Sequence, residues 1–192
     1  MSLARGLTLL IAYRDGRDDL EKLLGSLPAG ESGAGFASGL EVLVIDDCST
    51  LGPMAHSGVR VYKMPNRGYF AGAVNAGMAQ CQGDALVLNQ DVWFENSDWL
   101  ELVAKWQKEE GLAIAGDGVM NHPAWPQGYV QGTFMYLRRE AWEDVGELDA
   151  KWWPLWGCTA EWQTRAVRKG WRAERQCVSA SEHRSKRLWK RL

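Results

Sequence analysis

No apolar run in this 192-residue chain approaches the length of a membrane span. The longest, Leu7 to Tyr13, is interrupted by Thr8, and a spanning helix needs roughly twenty residues. The start, Met1-Ser2-Leu3-Ala4-Arg5-Gly6, has neither the apolar stretch nor the small-residue cleavage site of a secretory signal. Cysteine is sparse: four residues, at 48, 81, 158 and 177, with no Cys-x-x-Cys. That spacing excludes a zinc ribbon and a disulfide framework, and predicts reduced thiols in a cytoplasmic protein. An excess of one charge is also missing. Twenty-two basic residues against twenty-four acidic ones leave a net charge of −2, which excludes a globally cationic nucleic-acid binder but not a local patch. With 46% apolar and 24% charged residues, the chain is neither disordered, collagenous nor a coiled coil. Its one excess is tryptophan, at eleven copies, which points to a stacking surface or to a heavy core.

The rest alternates between two hydrophobic periods. Leu7–Tyr13 is apolar apart from Thr8, the signature of a strand buried on both faces. Leu20, Leu23, Leu24 and Leu27 then form one helical stripe. Residues 28–39 are rich in Gly, Ser and Ala and read as a loop. A second strand, Leu40–Ile45, ends in Asp46-Asp47, and a third covers Val59–Lys63. Phe70–Cys81 predicts a helix despite Gly72 and Gly77. A fourth strand, Ala85–Leu88, ends in Asn89-Gln90-Asp91. Asp98 with Glu101 predicts a capping box that opens a helix through Trp106. Strands at Leu112–Ala115 and Tyr129–Leu137 follow, then a short helix at Glu140–Val145. A last helix, Thr159–Lys169, is stopped by Gly170. No internal repeat is present. Such alternation predicts a mostly parallel sheet with helices on both faces.

In sheets of this kind ligands sit beyond the carboxyl ends of the strands. Three polar groups stand at those ends: Tyr13-Arg14-Asp15, Asp46-Asp47 and Asn89-Gln90-Asp91. An Asp after a strand is also an ordinary turn former or helix cap. Three such ends together point to one crevice.

Four stretches, residues 9–14, 41–50, 66–77 and 83–92, resemble a family 2 glycosyltransferase of the GT-A fold. They read Leu9-Leu10-Ile11-Ala12-Tyr13-Arg14, then Val44-Ile45-Asp46-Asp47-Cys48-Ser49, Asn66-Arg67-Gly68-Tyr69 through Asn75, and Leu88-Asn89-Gln90-Asp91. The likeness runs from Leu7 to Arg172. It implies an α/β GT-A domain, Rossmann-like with a mostly parallel sheet, over residues 1–178, followed by a basic tail at 179–192. It also implies a nucleotide-sugar donor carrying UDP, GDP or dTDP. Asp46 and Asp47 match the position that holds the nucleoside, where a carboxylate accepts hydrogen bonds from a base N–H and from ribose hydroxyls. Ala12 and Tyr13 match the segment that packs on the base; ordinary packing at a strand end is the alternative for Tyr13. Arg67 and Asn75 lie in the third stretch, whose glycines permit close backbone approach, and Arg67 suits a phosphate or the donor sugar. The alternative is a helix start with small residues for tight packing.

Asn89-Gln90-Asp91 stands where the family places its Asp-x-Asp metal motif, which implies Mg²⁺ or Mn²⁺ on oxygen ligands. Asn89 replaces the first acid, beside the donor sugar, and Asp91 is the implied direct ligand. His183 matches a family histidine that closes on the metal, a surface histidine in a basic tail being the alternative. Gly132, within Val130–Met135, and Trp156 match donor-sugar and acceptor elements.

Relatives then show Trp-Gly-Glu-Asp-x-Asp, an Arg and a Gly-Tyr-Arg-like end. This chain has Trp156-Gly157-Cys158-Thr159-Ala160-Glu161, then Arg165 and Gly170-Trp171-Arg172. Gly157 and Gly170 keep the family's spacing, so the usual Glu-Asp pair falls on Cys158 and Thr159. Inverting transfer needs a carboxylate to take the hydroxyl proton. Three readings stay open: Glu161 reaches back as the base, another acid such as Asp117 or Asp149 serves, or the chain binds donor without efficient transfer. An i,i+4 pair with Arg165 is the plain alternative for Glu161.

Trp152, Trp153, Trp156, Trp162 and Trp171 cluster in this region, and either stack on sugar rings or bases or fill the core. Pro154 favours Trp152 and Trp153 as a surface pair. Five basic residues, Arg184, Lys186, Arg187, Lys190 and Arg191, stand against Glu182 in the tail. That leaves a peripheral membrane contact, nucleic-acid phosphates or the donor diphosphate as partners, against a solvated terminal helix. The acceptor is expected to be a saccharide or lipid-linked glycan, with modified nucleic acid ranked below them. A non-catalytic nucleotide-sugar or glycan-binding module is the rival function. A nucleotidyltransferase ranks lower, because Ala12-Tyr13-Arg14-Asp15-Gly16 is a poor phosphate loop.

Overall fold

Six of the seven residues in Leu7–Tyr13 are buried, as a strand between two helical layers requires. In the computed structural model, which describes residues 6–30, 35–37, 40–176 and 181–183, this strand is β1. Its neighbours in the sheet are β2 (Leu40–Asp46) and β4 (Asp84–Asn89), both parallel to it. β3 (Val59–Lys63) pairs parallel with β2 at one edge. Beyond β4 lie β7 (Tyr129–Leu137), β6 (Leu112–Val119) and β8 (Arg172–Gln176). Only β7 runs against the other six. A separate pair joins β5 (Val92–Phe94) to β9 (Ser181–His183).

Two helices cover one face and three the other. The leucine stripe of α1 (Arg17–Gly25) and the face of α3 (Asp98–Lys108) that carries Trp99, Val103 and Trp106 pack on Leu9, Ile11 and Tyr13. On the opposite face α2 (Tyr69–Met78), α4 (Arg139–Val145) and α5 (Cys158–Arg168) pack on Leu10, Leu43 and Val87. Each large side chain buried in these layers contributes about 1.5–3 kcal/mol. The tryptophans divide between core and surface. Trp99, Trp106, Trp142 and Trp162 are core, while Trp152 and Trp156 stand 73% and 84% exposed.

The expected strands and helices form, with four differences. β5 and β9 were too short to show a period. β8 reads Arg-Ala-Glu-Arg-Gln and offers no apolar pattern. The capping box is not made: Asp98 is the first helical residue, and its N–H is held by Asn96 Oδ1 at 3.0 Å. β3 is an exposed edge strand, with Val61 45% exposed. The basic tail from Arg184 onward and Cys177 lie outside the described residues. Among the described residues no helix is long and apolar enough to cross a membrane.

A buried arginine closes the far end of the sheet. Arg138, 5% exposed, donates to the carbonyls of Leu112 (2.6 Å), Trp106 (2.9 Å) and Glu109 (2.7 Å). It thereby bonds carbonyls in the last turn of α3 and just beyond it, at the negative end of that helix. Arg138→Met is expected to cost about 3 kcal/mol, since hydrogen bonds to a charged group contribute about 1.5–3 kcal/mol and the carbonyls stay buried. Urea unfolding with an unchanged m-value is the check.

Candidate active site

The parallel register brings the three polar strand ends together. Tyr13 is the partner of Asp46, and Ala12 the partner of Asn89. A cavity of about 360 Å³ opens at this edge, and Ala12, Tyr13, Asp47, Arg67, Asn89 and Asp91 all line it. Asp46 lies just beneath, 2% exposed. Asn75 is placed elsewhere. Its amide donates to Leu148 O at 2.9 Å and accepts from Leu148 N at 3.0 Å, which ties α2 to the loop after α4.

The two adjacent aspartates do different work. Asp46 Oδ1 accepts the Ser49 N–H at 2.8 Å and turns the chain after β2. The Asp47 carboxylate reaches the start of α2, where it accepts the N–H of Gly68 at 2.6 Å and of Tyr69 at 3.0 Å. A carboxylate at a helix N-terminus meets orphan donors and the positive end of the dipole. Tyr13 is 1% exposed, and its hydroxyl donates to Leu51 O at 2.8 Å. Burial pushes the pKa of that hydroxyl up, so it stays a neutral donor. The Arg67 guanidinium lies 4.2 Å from the Tyr69 ring centre, at the mouth.

Gln90, between the two motif residues, had no role in the sequence reading. Its Oε1 accepts the Arg14 N–H at 2.6 Å, and its Nε2 donates to Arg14 O at 3.2 Å. The side-chain amide thus extends the ladder of β1 by one rung beyond the Ala12–Asn89 pair. Gly16 leaves the space: a Cβ there would lie 1.7 Å from Gln90 Nε2. Arg14 in turn donates to Asp47 O at 3.1 Å, so all three strand ends are stitched together. The available signal was the Asp15-Gly16 pair straight after the strand. Downstream of Asp91, β5 pairs with β9 and sets Val92 opposite His183. The backbone of His183 therefore runs beside the motif, and its side chain lies outside the described residues.

A second cavity, of about 230 Å³, shares Phe70, Asn89 and Leu155 with the first. Gly132 forms part of its wall because the Phe70 ring covers that position; a Cβ there would lie 2.1 Å from the ring. Trp156 stands at its rim, and Cys158 and Thr159 reach it from the first turn of α5. Glu161 lines neither cavity. Both its oxygens meet Arg165, at 2.7 and 3.0 Å, and Arg165 also donates to Val145 O and Glu147 O. The other two acids are engaged as well. Asp117 accepts the Gln131 amide at 2.5 Å, and Asp149 accepts the N–H groups of Lys151 and Trp152. Among the described residues no group of three or more His, Cys, Asp and Glu side chains gathers as a metal cage.

The family 2 glycosyltransferase model matches residues 9–168, and the chain belongs to that family. No curated protein matches it. Among solved structures, the mannosyltransferase PcManGT from Pyrobaculum calidifontis, in complex with GDP-Man and Mn²⁺, aligns with a TM-score of 0.72 at 16% identity, over 96% of this chain and 59% of that one. GalNAc-T7 with UDP, GalNAc and Mn²⁺ aligns at 0.69 and 14%, over 92% and 42%. S. aureus TarS 1-349 aligns at 0.62 and 14%, over 91% and 59%. These likenesses show the GT-A fold, and the chain spans less than two thirds of each of these structures.

Two outcomes follow from this geometry. Gln90→Met keeps the volume and removes both hydrogen bonds. It is expected to cost about 1–2 kcal/mol and to speed hydrogen exchange at the Arg14 amide, as read by NMR. Burial pushes the Cys158 thiol up to about 11, from an ordinary 9.0, against the opposing backbone hydrogen bonds. The folded chain keeps a proton that the unfolded chain releases between those two values, so this residue lowers stability as pH rises through 9 to 11. Cys158→Ala is expected to flatten that slope in unfolding curves measured across the window.

Proposed function

We propose that the chain transfers a sugar from a nucleotide-sugar donor to a hydroxyl of a saccharide acceptor, with inversion. One observation carries the reading: two cavities of different chemistry meet at Asn89, Phe70 and Leu155. The first has carboxylates and guanidinium groups on its walls, the second only uncharged side chains among the described residues. A diphosphate suits the first and a sugar hydroxyl the second, with the reacting carbon at their junction by Asn89.

Within this reading Asp46, Asp47, Ala12 and Tyr13 bound the nucleoside end, and Arg67 reaches the phosphates. Asn75 acts through the α2 packing that it secures. Asp91, with Asn89 and the backbone-adjacent His183, would hold Mg²⁺ or Mn²⁺. Oxygen donors fit such a hard cation, which when bound neutralises charge on the departing diphosphate. The Mn²⁺ in two of the aligned proteins, and their GDP-Man and UDP, agree with this and favour GDP or UDP over dTDP. Glu161 is the base on this reading, once its carboxylate parts from Arg165.

A second reading is a donor-binding module without turnover. Cys158 and Thr159 at the start of α5, and the Glu161–Arg165 pair, favour it. Thermal shift with UDP, GDP and dTDP sugars, run beside a donor-turnover assay with and without EDTA, separates the two. Transfer predicts turnover lost with EDTA, a fall of at least 100-fold in Asp91→Ala and a comparable fall in Glu161→Ala. Binding without turnover establishes the module. Normal transfer by Glu161→Ala puts the base elsewhere.

A further inference from the structure

The aromatic wall of the second cavity continues past its rim. Tyr129, which lines the cavity, meets Trp125 edge-on at 5.8 Å between ring centres. Trp125 meets Trp153 at 5.9 Å, again edge-on. These three rings make a continuous strip that leads outward. Its loops are fixed in place. Trp125 O accepts the Gly128 N–H at 2.8 Å, Trp153 N donates to Asp149 O at 3.0 Å, and Pro154 O accepts the Ala71 N–H at 2.9 Å. Gly157 is the space between the rings, since a Cβ there would lie 2.6 Å from Trp153 and 3.2 Å from Trp125.

Trp153 is 40% exposed, and Trp125 and Tyr129 are half-buried. His122 packs against Trp125 at 5.3 Å and Tyr129 at 5.8 Å between ring centres. Apolar surface left in water forgoes about 25 cal/mol per Å², so the part of the strip that stays exposed, Trp153 above all, offers that gain to a ligand. Flat faces are what such rings accept. The cavity that the strip leaves supplies amides and hydroxyls: Asn89, Gln131, Thr133 and Thr159. No charged residue lines it among the described residues. An anionic headgroup finds no counter-charge on these walls, whereas sugar hydroxyls find donors and acceptors followed by ring faces.

We propose that the Tyr129–Trp125–Trp153 strip is a second acceptor subsite, and that the acceptor is an uncharged oligosaccharide of at least two units. The terminal unit enters the cavity and the preceding unit stacks on the strip. This rests on the glycosyltransferase reading above.

Calorimetry of the full chain with GDP or UDP and Mn²⁺ tests it, using mono-, di- and trisaccharides of the glucose, mannose and galactose series. In at least one series the trisaccharide is expected to bind at least tenfold more tightly than the monosaccharide. In Trp153→Ala that advantage falls below threefold, with nucleotide binding retained as the sign of a folded chain. Trp125→Phe, which keeps a ring, retains most of it. Equal affinity for one and three units in every series, or an undiminished advantage in Trp153→Ala, overturns the proposal. Binding of phosphatidylcholine vesicles in place of any saccharide overturns it too. A wild-type chain that binds no nucleotide sinks both readings, whereas nucleotide binding without a length advantage sinks this one alone.

Discussion

The site depends on the in-register parallel pairing of β2, β1 and β4. Strands buried on both faces carry little alternation, so the hydrophobic pattern alone leaves their register weakly specified. The polar strand ends supply what the pattern lacks. Asp47 reaches from β2 to the first amides of α2, and Gln90 reaches from β4 to the backbone of Arg14. Arg14 then closes on Asp47 O. A slip of one residue in β1 would remove the Arg14 rung and leave the Gln90 amide facing the wrong groups. The residues that form the mouth therefore also hold the sheet in the one alignment that creates it.

Much of this was legible because burial and period speak together in an α/β chain. β1, β2, β4 and the leucine stripe of α1 are unmistakable in a sequence that alternates so regularly. The crevice was legible for the same reason: acids at three strand ends have one place to meet. What escaped was whatever rests on side-chain geometry rather than on pattern. β8 has one apolar residue in five and is recruited by its parallel neighbour β6. Gln90 reads as a spacer between Asn89 and Asp91 until the Gly16 gap opposite it is seen. Asn75 sits in the stretch that carries the family likeness, yet its amide is turned to Leu148.

Residue identity in such motifs is thus constrained twice. A buried polar group must find a partner or cost about 1–3 kcal/mol, and several motif residues find theirs within the protein. Asp46 closes a turn, Asp47 caps a helix and Tyr13 ties down Leu51. A ligand in the cavity therefore meets an Asp47 carboxylate that is already aligned, which lowers the ordering cost of binding. A carboxylate that accepts two backbone amides still has lone pairs to offer, so its structural role leaves Asp47 able to take the binding role proposed for it.

Glu161 shows how far the pairing argument reaches. Its pair with Arg165 is an i,i+4 helix pair with both side chains partly exposed, and such pairs contribute only about 0.3–0.5 kcal/mol. Arg165 is held independently by the carbonyls of Val145 and Glu147, so the carboxylate can leave without disturbing the guanidinium. Energy is not the obstacle. Direction sets the constraint: at about 100° per residue, Glu161 points some 200° around α5 from Thr159 and about 60° from Cys158, the two residues of this helix that line the second cavity. In the proposed transfer, a carboxylate at 161 approaches the second cavity along the Cys158 edge of α5. In the proposed transfer, the exchange of the usual acids for Cys158 and Thr159 therefore shifts the route of the proton as well as its acceptor.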